Sequence, residues 1–447
     1  MPGAEPPRHL LPRPHLARPD VRAAYHRYSA PRDSSPVRRR NFEVIQLDSV
    51  WMGIMGAAAT FLPVYLVRLG GGALATGILT TLPALGGLLF GVALGRFLQG
   101  RGQVVRWYAW SRFIVTWAYA GSAVIAAFAA PALVVPLVLL LWAVTALPQT
   151  MGQVTFPIVM DGAAGPQGRV DLLGRRWAIM GLGTAVAVAV AGYVLDVLGM
   201  PTGYQAVLVT GTIAGVFSYW YSSRIVLDEG RPEPPASANA APLPARALLR
   251  TEKPFTAFVT RKAVFVAGVR LVAPLLPLYY VDLLRASDGW IGIIAMAQGL
   301  ALVAGYIVWR RQARRMRPRV LLLSTLLIYG LYPAVFAVTA SAEVVVVVTA
   351  VGAFFAAGSD LALFDELMAR IPRDRSVTFA GVDYAITNLA GIIAPLAGAA
   401  LVGVVGLGWG LFAGAAVSMV GFAMFVRAGA GGAARQGARP AIATEAM

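Results

Sequence analysis

Cysteine is missing from all 447 residues, so disulfides, thiolate metal centres and thiol nucleophiles are excluded. Histidine is scarce. His9, His15 and His26 all lie near the amino terminus, which leaves the rest of the chain without the usual metal ligand and acid–base residue. No Ser/His/Asp or Cys/His constellation exists, and no Gly-(x)4-Gly-Lys-Ser/Thr loop is present to cradle nucleotide phosphates. An enzyme is therefore not expected, ATP-driven pumping by this chain alone has no support, and no metal or cofactor is implied. Charge is sparse too. Only 13% of residues are Asp, Glu, Lys or Arg, where a soluble protein carries about 25%.

What fills the chain instead is apolar. Hydrophobic residues make up 58%, and the mean hydropathy is +0.68. They come in runs of about 20, the length a helix needs to cross the hydrocarbon core. A β-barrel would alternate apolar and polar residues over about ten positions, and this pattern does not occur. The fold class expected is all-α integral membrane, with transmembrane helices near 43–67, 73–96, 105–129, 133–159, 177–199, 202–224, 257–283, 288–310, 319–341, 344–369, 377–403 and 405–427. Residues 1–41 carry many arginines and prolines with few large apolar groups and read as a disordered basic tail; they hold no apolar stretch of the kind a signal peptide needs. Residues 225–254, rich in proline and alanine, read as a linker between a six-helix half at 42–224 and another at 255–427, and 428–447 as a second tail.

The formal charge of +17 is a topology signal. With both termini inside, nearly every basic residue falls in the tails and cytoplasmic loops; Arg68 and Arg285 stay outside, and Arg270 lies within a span. The expectation is a multi-pass protein of the cell membrane whose basic tail and loops meet anionic lipid, with no role for nucleic acid. A monomer is expected.

The chain also repeats itself. Leu62-Pro63-Val64-Tyr65-Leu66-Val67 and Gly91-(x)3-Gly95-Arg96-(x)4-Arg101 return 214 residues later as Leu276-Pro277-Leu278-Tyr279-Tyr280-Val281 and Gly305-(x)3-Trp309-Arg310-(x)4-Arg315. At an offset of 206, Pro166-(x)2-Arg169 and Gly192 match Pro372-(x)2-Arg375 and Gly398. Six spans, a cytoplasmic linker and six more spans with matching motifs resemble the major facilitator superfamily, over roughly 42–427. That resemblance implies two halves with a substrate site between them near mid-membrane. In the family the loop after span two reads Gly-(x)3-Asp-Arg-(x)2-Gly-Arg-Arg/Lys and latches the outward-open state. Gly91, Arg96 and Gly100-Arg101 fit it, the last two after one extra residue, but Gly95 stands where the family has Asp. The family's antiporter signature in span five ends Gly-Pro-(x)2-Gly-Gly; span five here has no proline, and a similar Gly391-(x)3-Pro395-(x)2-Gly398 lies in span eleven. Independently of any latch, Gly87, Gly91 and Gly95 at spacing four make a small-residue face suited to close helix approach. Gly305 and Arg310 hold the equivalent places in the second copy. Asp161, Asp365 and Glu366 lie at cytoplasmic helix ends, where ion pairing with loop arginines or gating is expected.

Ionisable groups within a span each cost about 2.5–3.5 kcal/mol on insertion scales, so each needs a reason. Arg270 lies about 12 Å along its helix from Lys262. It is expected to face the cavity, paired with a carboxylate or with an anionic substrate group. Asp48, Asp360 and Asp383 reach similar depths from the cytoplasmic side. A buried Asp beside a movable Arg can exchange its proton for an ion pair, which is what proton coupling requires. Gln149 and Gln153, and likewise Tyr384 and Asn388, are four apart and share helix faces suited to ligand or interhelical contact. Trp51, one turn from Asp48, is a candidate for the cavity wall. The reading is a secondary transporter of a small molecule, proton-coupled and biased to export. A rival reading is a non-transporting relative, a membrane assembly factor or sensor.

Overall fold

The computed structural model describes residues 35–98, 103–227, 249–339, 341–370 and 376–437. It is all helical, with no strand among the described residues. In chain order the long helices are α1 (Pro36–Arg68), α2 (Ala73–Leu98), α3 (Val104–Phe128), α4 (Pro131–Ala164), α5 (Leu172–Leu198) and α6 (Thr202–Ser222). They continue as α7 (Lys253–Leu283), α8 (Asp288–Gln312), α9 (Pro318–Val338), α10 (Ala342–Met368), α11 (Ser376–Val405) and α12 (Leu407–Gly437). Eleven of these are long and apolar enough to cross a membrane. The remaining one, α6, has 21 residues but dilutes its apolar surface with Thr, Ser and Tyr. The first helix begins at Pro36, so residues 36–41, expected in the tail, already belong to it.

Local chemistry sets these limits. Proline opens α1, α4 and α9 at a position whose N–H has no helical acceptor. Ser35, Ser287 and Ser341 accept from the backbone N–H three residues on and so cap α1, α8 and α10. The turn between α1 and α2 passes through Gly70 at φ +86, a conformation that glycine alone adopts without strain. Within α4 the helix breaks at Thr145, three residues before Pro148, where the missing N–H interrupts the ladder. In α7 a break at Ala273–Pro274 is followed by a π-helical turn at Tyr279–Leu283.

The first six helices pack chiefly as α1 on α5 and α6 and α3 on α6; the last six as α8 on α10, α7 on α11 and α12, and α9 on α10 and α12. Between the groups, α5 meets α8, α2 meets α11 and α1 meets α7. These contacts are concentrated at one end. There a single apolar core runs through both groups, taking Phe61, Tyr65 and Tyr204 from one and Leu275, Tyr279 and Ile291 from the other. At the opposite end, where the basic loops lie, the core splits in two. Phe42, Ile45, Tyr108 and Val159 belong to the first group alone, and Phe255, Phe258, Leu326 and Phe379 to the second alone.

Candidate functional site: a cleft between two helix groups

The joined end is fastened by polar contacts as well as apolar ones. Arg68 at the close of α1 donates to the Ala286 carbonyl and to Asp288 Oδ1, both at 3.0 Å. Tyr204 donates to the same carboxylate oxygen at 2.7 Å, and Ser287 donates to Asp196 at 3.0 Å. Thr76 donates to the Pro274 carbonyl at 2.9 Å. Glycine makes the helix crossings close: a Cβ on Gly192 would sit 2.7 Å from the Asp288 carbonyl oxygen, and one on Gly292 2.8 Å from that of Val188. Along α2 the gap to α11 widens stepwise. A Cβ at Gly77 would be 3.0 Å from Ala399, one at Gly87 3.5 Å from the Asn388 amide, and those at Gly91 and Gly95 would meet nothing within 4 Å. The two groups therefore diverge toward the basic end and leave a cleft.

Asp48 is fully buried beside that cleft, inside the first group. Arg112 of α3 forks onto both its oxygens at 2.8 and 3.1 Å, Arg176 of α5 donates at 2.8 Å, and Ser218 of α6 donates at 2.6 Å. Arg112 also donates to the Tyr108 hydroxyl at 2.8 Å, and Arg176 lies over the Phe156 ring. Two guanidiniums and one carboxylate thus tie α1, α3, α5 and α6 together. A planar guanidinium holding a carboxylate through two parallel N–H bonds is the strongest form of such a pair.

The second group keeps its charges looser and more open. Lys262 of α7 meets both oxygens of Asp383 of α11 at 2.6 and 2.9 Å, and both side chains retain some exposure. At a similar depth, Tyr306 of α8 donates to Asp360 of α10 at 2.9 Å. Arg270 and Lys262 are both near enough to act on Asp360 electrostatically, yet Arg270 makes no ion pair with a described residue. The exposure of Arg270 is to the cleft, because α7 shows no large exposed apolar side chain until Leu283. Asp360 is exposed as well.

The two groups touch in this cleft through residues picked out by spacing alone. Tyr384 of α11 donates to Gln153 of α4 at 3.2 Å, and Asn388 lies beside Gly87. Gln149 instead donates to Thr145 of its own helix at 2.8 Å. Trp51 stacks on Phe217 of α6 at 4.4 Å, a packing contact between helices of one group. The close approach expected at Gly91 and Gly95 does not occur, since α2 and α11 have already parted there, whereas a Cβ at Gly305 would lie 2.7 Å from the Phe354 carbonyl oxygen. Arg310 and Asp161 are exposed at the basic end. Glu366 pairs with Arg370 at 2.6 Å. Arg101 lies outside the described residues, as does the Arg96 side chain. Spacing and depth missed Arg112, Arg176, Ser218 and Tyr306. Arg112 had a signal, since it is an ionisable residue eight positions inside α3.

No family model matches the chain, and no curated protein does. Solved structures do. A variant of the nucleoside transporter NupG superposes with a TM-score of 0.71 at 13% identity, over 87% of this chain and 99% of that one. A bacterial homologue of the iron transporter ferroportin in its inward-facing state gives 0.65 at 16%, over 88% and 99%. In its outward-facing state the ferroportin homologue gives 0.54 at 15%, over 87% and 98%. A bacterial homologue of the lysosomal transporter Spinster, also inward-facing, gives 0.64 at 13%, over 88% and 97%. The fold is that of major facilitator-type transporters, and the chain is a multi-pass membrane protein.

Proposed function

We propose that this chain is a secondary transporter that carries a small solute through the cleft by alternating access. Residues 42–224 would rock against 255–427, and both termini would be cytoplasmic. The carrying observation is the divided core: one continuous core at the charge-poor end, two separate cores at the basic end, and a cluster of incompletely neutralised charges at the split. Positive loops favour the cytoplasm, so the open end is read as cytoplasmic and the conformation as inward-open. The higher likeness to the inward-facing than to the outward-facing ferroportin homologue, 0.65 against 0.54, supports the same assignment.

Coupling to protons is assigned to Asp360 and Asp383. Each carboxylate stands near a cation in the cleft, so protonation would release that cation to an anionic group or to water. Asp48 belongs with them by depth, but its three donors and full burial suit it to holding the first group rigid. Gln153, Tyr384 and Asn388 would contact solute where the groups meet. Gly91, Gly95 and Arg96 would close against the second group in the outward-open state. Export is the favoured direction, on the strength of a cleft with few fixed charges.

Cysteine-free sequence makes the test direct. Spin labels on Ala93→Cys in α2 and Gly381→Cys in α11 should report two distance populations, the shorter one gaining when a transported solute or an acid step is applied. In proteoliposomes containing a pH-sensitive dye, a transported solute should move protons, and Asp360→Asn should abolish that movement. A single unchanging distance, together with no solute-dependent proton flux across a broad solute panel, would point to the sensor or assembly-factor reading.

A further inference from the structure

The face of α3 and α6 turned away from the cleft carries a feature that transport does not use. Between the basic ends of these two helices lies a cavity of about 310 Å³, lined by Gln103, Arg106, Trp110, Tyr219, Ser223 and Ile225 among others. Arg106 is exposed, and its only hydrogen bond to a described residue is a long one to Gln103, at 3.4 Å. Its charge is thus held at the mouth of the cavity without an anionic partner among the described residues.

From this cavity an apolar stripe runs along α3 toward the membrane centre. Trp110, Phe113 and Trp117 stand edge to face in succession, with centroids 5.5 and 5.9 Å apart, and Tyr219 of α6 packs against the first two. Trp110, Ile114 and Trp117 of α3 and Ile213, Phe217 and Trp220 of α6 all expose between 41% and 52% of their surface, so this is a face that lipid covers. Arg224, one residue past Ser223, lies flat over Trp220 at 3.4 Å and adds a second positive charge at the same level. Aromatic side chains at the level of the headgroups with a cation above them form the usual boundary between acyl chain and phosphate.

The corresponding groove of the second group is bridged. By the 214-residue offset Val105 answers to Arg319, and Arg319 donates to the Val426 carbonyl of α12 at 3.1 Å, so its guanidinium is already engaged across the groove. Arg106 itself answers to Val320, so the second copy has no basic residue at that position, and the guanidinium of the neighbouring Arg319 is already engaged.

We propose that the α3–α6 cavity seats the headgroup of an anionic phospholipid, with its phosphate on Arg106 and its acyl chains along the Trp110–Trp117 stripe. The occupant is taken from the bilayer because cavity and stripe are continuous; a free phosphate would use the first and leave the second unexplained. This site is independent of what the cleft carries. It also lies on the reverse face of the two helices that hold Asp48 through Arg112 and Ser218, so an occupant would brace them from the lipid side.

The test is native mass spectrometry of delipidated protein titrated with phosphatidylglycerol or with phosphatidylcholine of the same acyl chains. Phosphatidylglycerol should be retained preferentially. Arg106→Gln should reduce that retention about fivefold, the weight of one basic residue at an anionic surface, while phosphatidylcholine retention stays unchanged. Arg319→Gln, whose guanidinium is engaged elsewhere, should behave as wild type. Ser223→Trp, which fills the cavity without changing charge, should lower phosphatidylglycerol retention as well, and it carries the test if Arg106→Gln melts early. Soluble glycerol 3-phosphate should not compete. Equal retention of the two lipids by wild type, equal losses in Arg106→Gln and Arg319→Gln, or full competition by glycerol 3-phosphate would each overturn the proposal.

Discussion

The two helix groups share a repeated frame but treat their buried charges in opposite ways. In the first, Asp48 has no exposure and accepts from Arg112, Arg176 and Ser218, so four helices are bolted around one carboxylate. In the second, Asp383 has one lysine, Asp360 has one tyrosine, and Arg270 has no ion pair with a described residue. Glycine differs in the same sense at matched positions: Gly305 is pressed against α10, while Gly91 faces open space. A buried network bonded across four helices makes a rigid body, whereas sparsely paired groups exposed in a cleft can change partners at lower cost. Under the proposed transport function, the first group is the scaffold and the second carries the chemistry.

That contrast can be broken by experiment, and the expected effects on stability fall in a definite order. Asp48→Asn heads it. Removing the charge leaves two buried guanidiniums facing each other, and breaking a buried pair this way costs about 3–5 kcal/mol. A large drop in melting temperature should follow, whatever happens to flux. A wild-type melt would show that the network is not structural, and the division of labour would fail.

Gly305→Leu comes next. Overpacking a close helix contact costs about 1–3 kcal/mol, and here the added side chain would meet the Phe354 carbonyl and Ala357. Gly91→Leu should melt as wild type, because nothing lies within 4 Å, but it should slow solute flux by blocking closure at the basic end. Equal melting losses at the two glycines would mean that α2 is packed at Gly91 in the resting state.

Smallest on the stability scale are the cleft charges. Asp360→Asn and Arg270→Ala should shift melting little, since both side chains are exposed to the cleft. Flux should nevertheless fall to background, and Arg270→Lys should restore part of it, because an ammonium lacks the planar fork of a guanidinium. With the carboxylate gone, any residual flux in Asp360→Asn should lose its dependence on pH. Normal flux with a normal pH profile in both variants would remove them from the site. The Lys262–Asp383 pair sharpens the comparison further. The double change Lys262→Met with Asp383→Asn should keep the fold and lose proton movement, whereas a purely structural pair would leave proton movement intact.

Much of this architecture was legible before any coordinates. A membrane helix announces itself locally, because about twenty apolar residues must follow one another to span the hydrocarbon core. Depth within a span was readable for the same reason, being a count of residues at 1.5 Å each; this is how Arg270, Asp360 and Asp383 were found. Spacing by four put Gln149 and Gln153 on one face, and Gln153 meets Tyr384 from the other group while Gln149 bonds within its own helix. Azimuth and partner were not readable. Asp48, Asp360 and Asp383 have the same kind of address along their helices, but Asp48 meets Arg112, Arg176 and Ser218 from 64, 128 and 170 residues away. Its saturation with donors is a property of how four helices rotate against one another. Likewise Gly91 and Gly305 are matched in the repeat, and only packing presses Gly305 against α10 while a Cβ at Gly91 would meet nothing within 4 Å. Composition and local order were sufficient to determine a basic-ended bundle of spanning helices, because each span must satisfy its own backbone hydrogen bonds in lipid. Which charges are locked and which are free was decided by tertiary packing, because an ion pair depends on distances between helices that no stretch of sequence contains.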